Sequence, residues 1–235
     1  MIPGRHGAGP YKRTIRKHTG CEGVTVDSGY PELNGKTRED AWALLQEWVE
    51  SPSLRRHCLS VETALRAYAT RFGEPPDAWG LVGLIHDFDF ERHPSLEEHP
   101  FVGAGVLAEQ RYPKWVIDAV LSHSDDPTYP RTTQLEKSLF AVDELTGFIA
   151  AVALVRPSRA VADVTVSSVK KKLKDRKFAE AVRRDELLAG AEELGVPFDD
   201  HVAFVIEAMA GNAEVLGLAG TSPSTDDGAA GRKDE

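Results

Sequence analysis

From Thr37 onward, apolar residues recur at three- and four-residue spacing, which is the pattern of helices that each bury one face. Thr37 and Asp40 have the spacing of a capping box at the first of these helices, and prolines and glycines punctuate the later ones. The pattern predicts helices over residues 38–48, 52–72, 77 to 88 or 90, 100–112, 113–124, 133–155, 157–174, 177–194 and 199–217. Because no alternating strand pattern, repeat or internal linker interrupts them, we expect one all-α domain, a compact helical bundle of residues 37–217.

The two ends of the chain lack such a buried face. Residues 1–36 scatter Gly, Pro, Lys, Arg and Thr without an apolar period, and residues 218–235 are rich in Ser, Asp and Gly. We expect both segments to be disordered.

Composition and charge restrict the class of protein. The chain has 235 residues, of which 41% are hydrophobic and 28% charged, and this profile excludes collagen, disulfide scaffolds and membrane spans. The formal net charge of -9 argues against binding to nucleic acid as the main activity. With two cysteines and no signal peptide or apolar run of span length, we expect a cytoplasmic protein with reduced thiols and no membrane association.

Six histidine and aspartate residues occupy positions where core residues are expected, on the buried faces or at the ends of five predicted helices. They are His57, His86, Asp87, His99, His123 and Asp143. A single buried histidine is usually a core side chain, but an unpaired carboxylate inside the apolar 133–155 helix would cost several kcal/mol. We therefore expect a shared site for divalent transition metal ions, with Fe, Mn, Co, Ni and Zn as candidates.

The number of metal ions depends on how the six residues are shared. Four ligands could surround one ion, whereas six with one bridging carboxylate would hold two ions about 3.5–4 Å apart. We expect two ions. Of two His-Pro pairs, at His93 and His99, only the second precedes a helix with a Gly-Ala-Gly stretch, and we therefore choose His99. Glu62 and Glu144 have weaker claims and are left out of the set.

The order His57, His86-Asp87, Asp143 resembles the signature of the HD-domain superfamily of metal-dependent phosphohydrolases. His99 and His123 resemble the additional pair of its binuclear members, and the resemblance covers about residues 38–215. The stretches 84–90, 99–104 and 136–148 are similar to a little-characterised bacterial subfamily of HD-domain hydrolases. The resemblance implies an HD-type bundle in which Asp87 bridges two ions and His86 and Asp87 serve catalysis.

The residues that would hold a substrate phosphate are less clearly marked. Many members of the superfamily follow the His-Asp pair with Ile-Gly-Lys, whereas this chain continues with Phe88-Asp-Phe90. We therefore expect a phosphate contact from Arg92, Arg131 or Lys137, and we prefer Lys137 because it stands close before Asp143 in the sequence. Eight basic and two acidic residues across 170–184 are interpreted as a solvated helix face.

Together these features predict hydrolysis of a phosphomonoester, phosphodiester or phosphoanhydride by a metal-bound hydroxide. The substrate would be a small phosphorylated compound, with nucleotides among the possibilities. Two alternatives stay open: a di-iron oxygenase of the same fold that acts on a small organic substrate, and a non-catalytic module that binds a nucleotide. The oligomeric state is left open.

Overall fold

The computed structural model describes residues 32–220, and this part of the chain is helical, with no strand. The all-α prediction is confirmed. The helices are α1 (Arg38–Trp48), α2 (Pro52–Phe72), α3 (Pro76–Ile85), α4 (Phe101–Glu109), α5 (Lys114–Ser122), α6 (Gln134–Leu154), α7 (Val166–Leu173), α8 (Arg184–Leu194) and α9 (Phe198–Ala210), with a short 3-10 helix at Val161–Asp163.

Side-chain caps begin the helices at several of the expected places. The Thr37 hydroxyl accepts from the Asp40 N–H, and the Thr37 N–H donates to Asp40 Oδ2 at 2.9 Å, which completes the predicted capping box. Thr133 and Glu136 form the same arrangement at the start of α6. Each box satisfies backbone N–H groups that a helix start would leave unpaired, and therefore fixes where the helix begins.

The two longest helices, α2 and α6, form the centre of the bundle. α2 packs against α3 and α6, and α6 also contacts α8. Large side chains such as Leu65, Trp79, Leu139 and Phe148 are fully buried between them. Burial of these apolar side chains is the main stabilising contribution, and it holds the inward faces of α2 and α6 at fixed positions.

Several predicted helices are shorter in the structure. The third ends at Ile85, residues 177–183 form turns and irregular structure instead of helix, and α9 ends at Ala210. The Arg184 side chain explains why residues 177–183 are not helical. Its guanidinium donates to the carbonyls of residues 173, 175, 178 and 182. These hydrogen bonds satisfy carbonyl groups that a continuing helix would have paired. Apolar periodicity indicates which residues are buried. A compact turn can bury the same residues, so the periodicity does not distinguish it from a helix.

Some described residues beyond the predicted domain limits also contact the core. Leu33 packs against the core on one side, and Leu218, expected in the disordered tail, is fully buried. The Val161 N–H donates to the Leu218 carbonyl at 2.8 Å, which attaches this end to the 3-10 helix. The predictions for residues 1–31 and 221–235 lie outside the described residues.

Between residues 32 and 220, no helix is both long enough and apolar enough to span a membrane.

Candidate metal centre

The structure brings the six predicted ligand residues together. Their nitrogen and oxygen atoms form two groups, each with all atoms within 4.8 Å of one another: His57, His86, Asp87 and Asp143 in the first, and Asp87, His99 and His123 in the second. Asp87 belongs to both groups. A carboxylate shared in this way is the arrangement that can bridge two ions.

Two of the histidines are positioned by the same local structure. His86 directly follows α3 and His123 directly follows α5. The His86 Nδ1 donates to the Gly83 carbonyl at 2.8 Å, and the His123 Nδ1 donates to the Val120 carbonyl, in each case three residues back. Because Nδ1 carries the proton, Nε2 of the neutral ring presents its lone pair to the centre.

His99 is oriented by a buried carboxylate that sequence reasoning missed. Its Nδ1 contacts Asp89 Oδ1 at 2.7 Å, and Asp89 Oδ2 accepts from the Gly103 N–H at 2.7 Å. Asp89 has no exposed surface. The available signal was a second aspartate two residues after Asp87, in a run that is otherwise apolar. A carboxylate behind a metal-binding imidazole fixes its tautomer and orientation.

Gly103 makes this contact possible. A Cβ at residue 103 would lie 2.7 Å from Asp89 Oδ2 and 2.7 Å from Asp89 Cγ. Any other residue would therefore force Asp89 away from the backbone N–H and from His99. The Gly-Ala-Gly stretch that distinguished His99 from His93 in the sequence thus has a structural role at its first glycine.

The donor atoms at the centre are spaced for a cation. In the first group, His57 Nε2 lies 3.0 Å from Asp143 Oδ1, and His86 Nε2 lies 3.3 Å from the same oxygen and 3.2 Å from His57 Nε2. In the second, His99 Nε2 lies 3.1 Å from His123 Nε2 and 3.2 Å from Asp87 Oδ1. Since the fixed tautomer of His86 leaves only a lone pair on Nε2, its approach to a carboxylate oxygen is favourable when a cation or proton lies between them. Imidazole and carboxylate donors in this number suit Fe, Mn, Co, Ni or Zn.

The electrostatics of the protein alone are those of a site that retains protons. Burial lowers the pKa of His57, but the Asp143 and Asp87 carboxylates outweigh it and raise this pKa to about 10. Burial is likewise outweighed at His99, where Asp87 and Asp89 raise the pKa to about 9. Burial alone would raise the pKa of Asp87, yet the histidines around it hold that pKa well below its usual range. Divalent ions would replace these protons as the positive charge of the site.

A cavity of about 510 Å³ opens onto this centre. Five of the six residues line it, whereas His86 is fully buried behind them. Its remaining walls are formed by Phe90, Leu96, Phe101, Ser124, Asp125, Asp126, Glu144, Gly147, Arg183 and Glu186. Its volume is that of a small-molecule site.

None of the three predicted phosphate contacts lines the cavity. The guanidinium of Arg92 donates to the Glu47 carbonyl and lies over the Trp48 ring, 4.5 Å from its centroid. Arg131 pairs with Glu193 at 2.8 Å. Both arginines therefore make structural contacts with other residues of the protein.

Lys137 does not line the cavity, contrary to the prediction, because of its position on α6. The residues of this helix that line the cavity are Asp143, Glu144 and Gly147, which follow Lys137 in the chain. Arg183, which the sequence placed in a solvated basic cluster, lines the cavity instead. Distance along the chain from Asp143 could not show which of these cations faces the site.

The two glutamates set aside from the ligand set have different surroundings. Glu62 accepts from Arg38 at 2.6 Å and from Arg66 at 3.0 Å, which makes it the buried member of an ion-pair network. Glu144 lines the cavity, and burial together with the Asp143 and Glu186 carboxylates raises its pKa to about 7. Neither belongs to the two candidate metal groups among the described residues.

The fold and the site define an all-α protein with a candidate His/Asp metal centre. Residues 54–147 match the family model of the HD domain, a segment that begins in α2, ends in α6 and contains all six residues of the centre. This match is consistent with the HD-domain superfamily of metal-dependent phosphohydrolases. No curated protein and no solved structure matches the chain.

Proposed function

We propose that this protein is a metal-dependent phosphohydrolase whose site holds two divalent transition metal ions. The observation that carries the proposal is the position of Asp87 in both ligand groups. A bridging carboxylate between two sets of imidazole ligands is the arrangement of two-metal phosphoryl-transfer sites.

A different set of residues would hold each of the two ions. His57, His86 and Asp143 with Asp87 would hold one, and His99 and His123 with Asp87 the other. When bound, the ions supply Lewis acidity that polarises the phosphoryl group and neutralises its negative charge.

The neighbouring groups keep these ligands in place before a substrate arrives. The backbone carbonyls of Gly83 and Val120 hold His86 and His123, and Asp89 holds His99. Preorganised ligands cost little reorganisation during the reaction. The cavity then binds a small phosphorylated compound, whose phosphate end lies at the floor where the six residues converge.

The test combines metal content with hydrolysis. The purified protein is loaded separately with Mn²⁺, Fe²⁺, Co²⁺, Ni²⁺, Zn²⁺ and Mg²⁺, its bound metal is measured, and phosphate release is assayed on phosphomonoesters, phosphodiesters and nucleotides. We expect about two ions per chain and hydrolysis of at least one substrate class. Asp87→Asn should lose both, whereas the exposed-site control Asp163→Asn should lose neither. Undiminished hydrolysis by Asp87→Asn would refute the site.

Running the same panel without oxygen separates the hydrolase from a di-iron oxygenase. A hydrolase releases phosphate anaerobically with redox-silent metal, whereas an oxygenase requires dioxygen uptake and redox-active iron. Nucleotide binding without turnover in any metal form would instead indicate the non-catalytic module.

A further inference from the structure

One arginine lines the cavity above the metal centre. Among the described residues that form its walls, Arg183 is the single lysine or arginine. Its side chain is half-exposed, so a ligand in the cavity can reach it. The three cations that the sequence suggested for a phosphate contact, Arg92, Arg131 and Lys137, do not line this space. A phosphate that enters the cavity therefore finds its arginine at residue 183.

Neighbours of both ligand groups hold Arg183 in place. Its backbone N–H interacts with the carboxyl group of Glu144, which follows the proposed ligand Asp143 in the chain. Its guanidinium pairs with Asp125, two residues after the proposed ligand His123. Asp143 and His123 belong to different ligand groups of the centre. Together with the shared cavity, these contacts place Arg183 near both groups.

The ion pairs of Arg183 use only one nitrogen of its guanidinium. Nη1 pairs with Asp125 Oδ2 and lies 2.5 Å from Glu186 Oε1. Within residues 32–220, no acceptor is hydrogen-bonded to Nε or Nη2. These two nitrogens form the edge of a guanidinium that can donate to two oxygens of one phosphate group. The side chain is therefore held at the cavity wall and still has donors for a ligand.

The paired carboxylates leave Arg183 available for such a contact. Arg183 and Asp125 are both half-exposed, and exposed ion pairs contribute little to stability. Guanidinium–phosphate hydrogen bonds are charge-assisted and stronger than neutral ones. Because the carboxylates bind Nη1, they orient the arginine without occupying the N–H groups that a phosphate would use.

We propose that Arg183 is the cationic contact for the substrate phosphate, with Nε and Nη2 donating to its oxygens. The inference rests on the proposed function, because the metal centre is where the phosphate end is expected. Asp125 and Glu186 are positioning residues that hold the guanidinium at the wall. The charge of Arg183 adds to that of the metal ions in neutralising the phosphate.

Chemical modification of the unaltered protein is the first test. The metal-loaded, full-length protein is treated with phenylglyoxal, which reacts with accessible arginines, and the modified residues are identified by mass spectrometry. With inorganic phosphate as the probe, and chloride at equal ionic strength as the reference, modification of Arg183 should slow severalfold. Arg176 is an exposed arginine outside the cavity, and it should react at the same rate in both solutions.

Binding of inorganic phosphate to variants is the second test, measured by calorimetry on protein checked for full metal content. Arg183→Gln should bind phosphate about tenfold more weakly, because it loses charge-assisted hydrogen bonds. Arg183→Lys should recover part of the loss, since lysine keeps the charge but not the two-donor edge. Arg131→Gln is the matched control, because Arg131 pairs with Glu193 outside the cavity, and its affinity should not change.

Asp125→Asn separates a phosphate contact from a structural ion pair. If Arg183 acted only through its pair with Asp125, this variant would weaken phosphate binding as much as Arg183→Gln does. We expect a smaller loss or none, because Glu186 still pairs with Nη1 and the phosphate donors remain.

The outcomes distinguish this contact from the proposed function. Equal phosphate affinity of Arg183→Gln and Arg131→Gln, or modification of Arg183 at an unchanged rate, would overturn the contact, while hydrolysis by the unaltered protein would keep the phosphohydrolase. An equal loss in Asp125→Asn and Arg183→Gln would also overturn it. If the unaltered, metal-loaded protein neither binds phosphate nor cleaves a phosphoester, both proposals fail.

Discussion

Replacing Gly103 by alanine tests whether the buried Asp89 holds one half of the metal centre. The added Cβ would lie 2.7 Å from both Cγ and Oδ2 of Asp89, closer than real contacts allow. Asp89 is fully buried between His99 and the Gly103 N–H, so it can yield only by lengthening a 2.7 Å hydrogen bond. Gly105→Ala is the matched control, because it lies in the same helix and its Cβ would have nothing within 4 Å.

The expected magnitude follows from comparing the two variants. Both gain the helix propensity of alanine over glycine, about 1 kcal/mol, so this contribution cancels. The difference is the loss of one hydrogen bond to a charged group, about 1.5–3 kcal/mol. At about 2–4 °C per kcal/mol for a domain of this size, Gly103→Ala should melt about 3–12 °C below Gly105→Ala.

Metal binding provides the second measurement. The loss of a hydrogen bond that orients a metal ligand typically weakens metal affinity about 10–100-fold. Only the ligand group that contains His99 should be affected. We therefore expect Gly103→Ala to bind one ion normally and the other weakly in a metal titration. If Gly103→Ala matches Gly105→Ala in both melting temperature and metal affinity, the role assigned to Asp89 is wrong.

Three further predictions concern the centre, the core and the surface. Asp87→Ala should abolish binding of both ions in elemental analysis, because Asp87 belongs to both groups, whereas Asp163→Ala should keep them. Burial lowers the pKa of His201, so the unfolded state takes up more protons and stability should fall as pH decreases below about 6.5. Chemical denaturation from pH 8 to 5 should show a smaller decline for His201→Gln, and an identical decline would contradict this. Arg131→Ala should lower the melting temperature and leave KM unchanged, because its ion pair lies outside the cavity; a raised KM would restore it as a substrate contact.

The sequence was informative about the helices because burial and capping leave local signals. Apolar spacing located the helices, and the capping box at Thr37 located the start of the first one. Their ends were less well predicted. Residues 177–183 have a helical period but are not helical, since the Arg184 side chain binds the carbonyls of residues 178 and 182 through contacts that periodicity does not encode.

The candidate site was likewise predicted only in part. The six His and Asp residues could be chosen from the sequence because charged and imidazole groups at buried positions require partners, and the structure brings them together. Asp89 was missed because its role depends on the close approach of Gly103, fourteen residues later.

By itself, the sequence determined the all-α class and indicated a resemblance to the HD domain, because helical periodicity and the order of the His and Asp residues are properties of the linear chain. Only the tertiary structure decided which side chains share the cavity. Arg92, Arg131 and Lys137 were the chemically suitable cations, yet Arg183 and four carboxylates line the walls. The physical reason is that a long charged side chain binds whichever partner packing places within reach, and those partners come from distant parts of the chain.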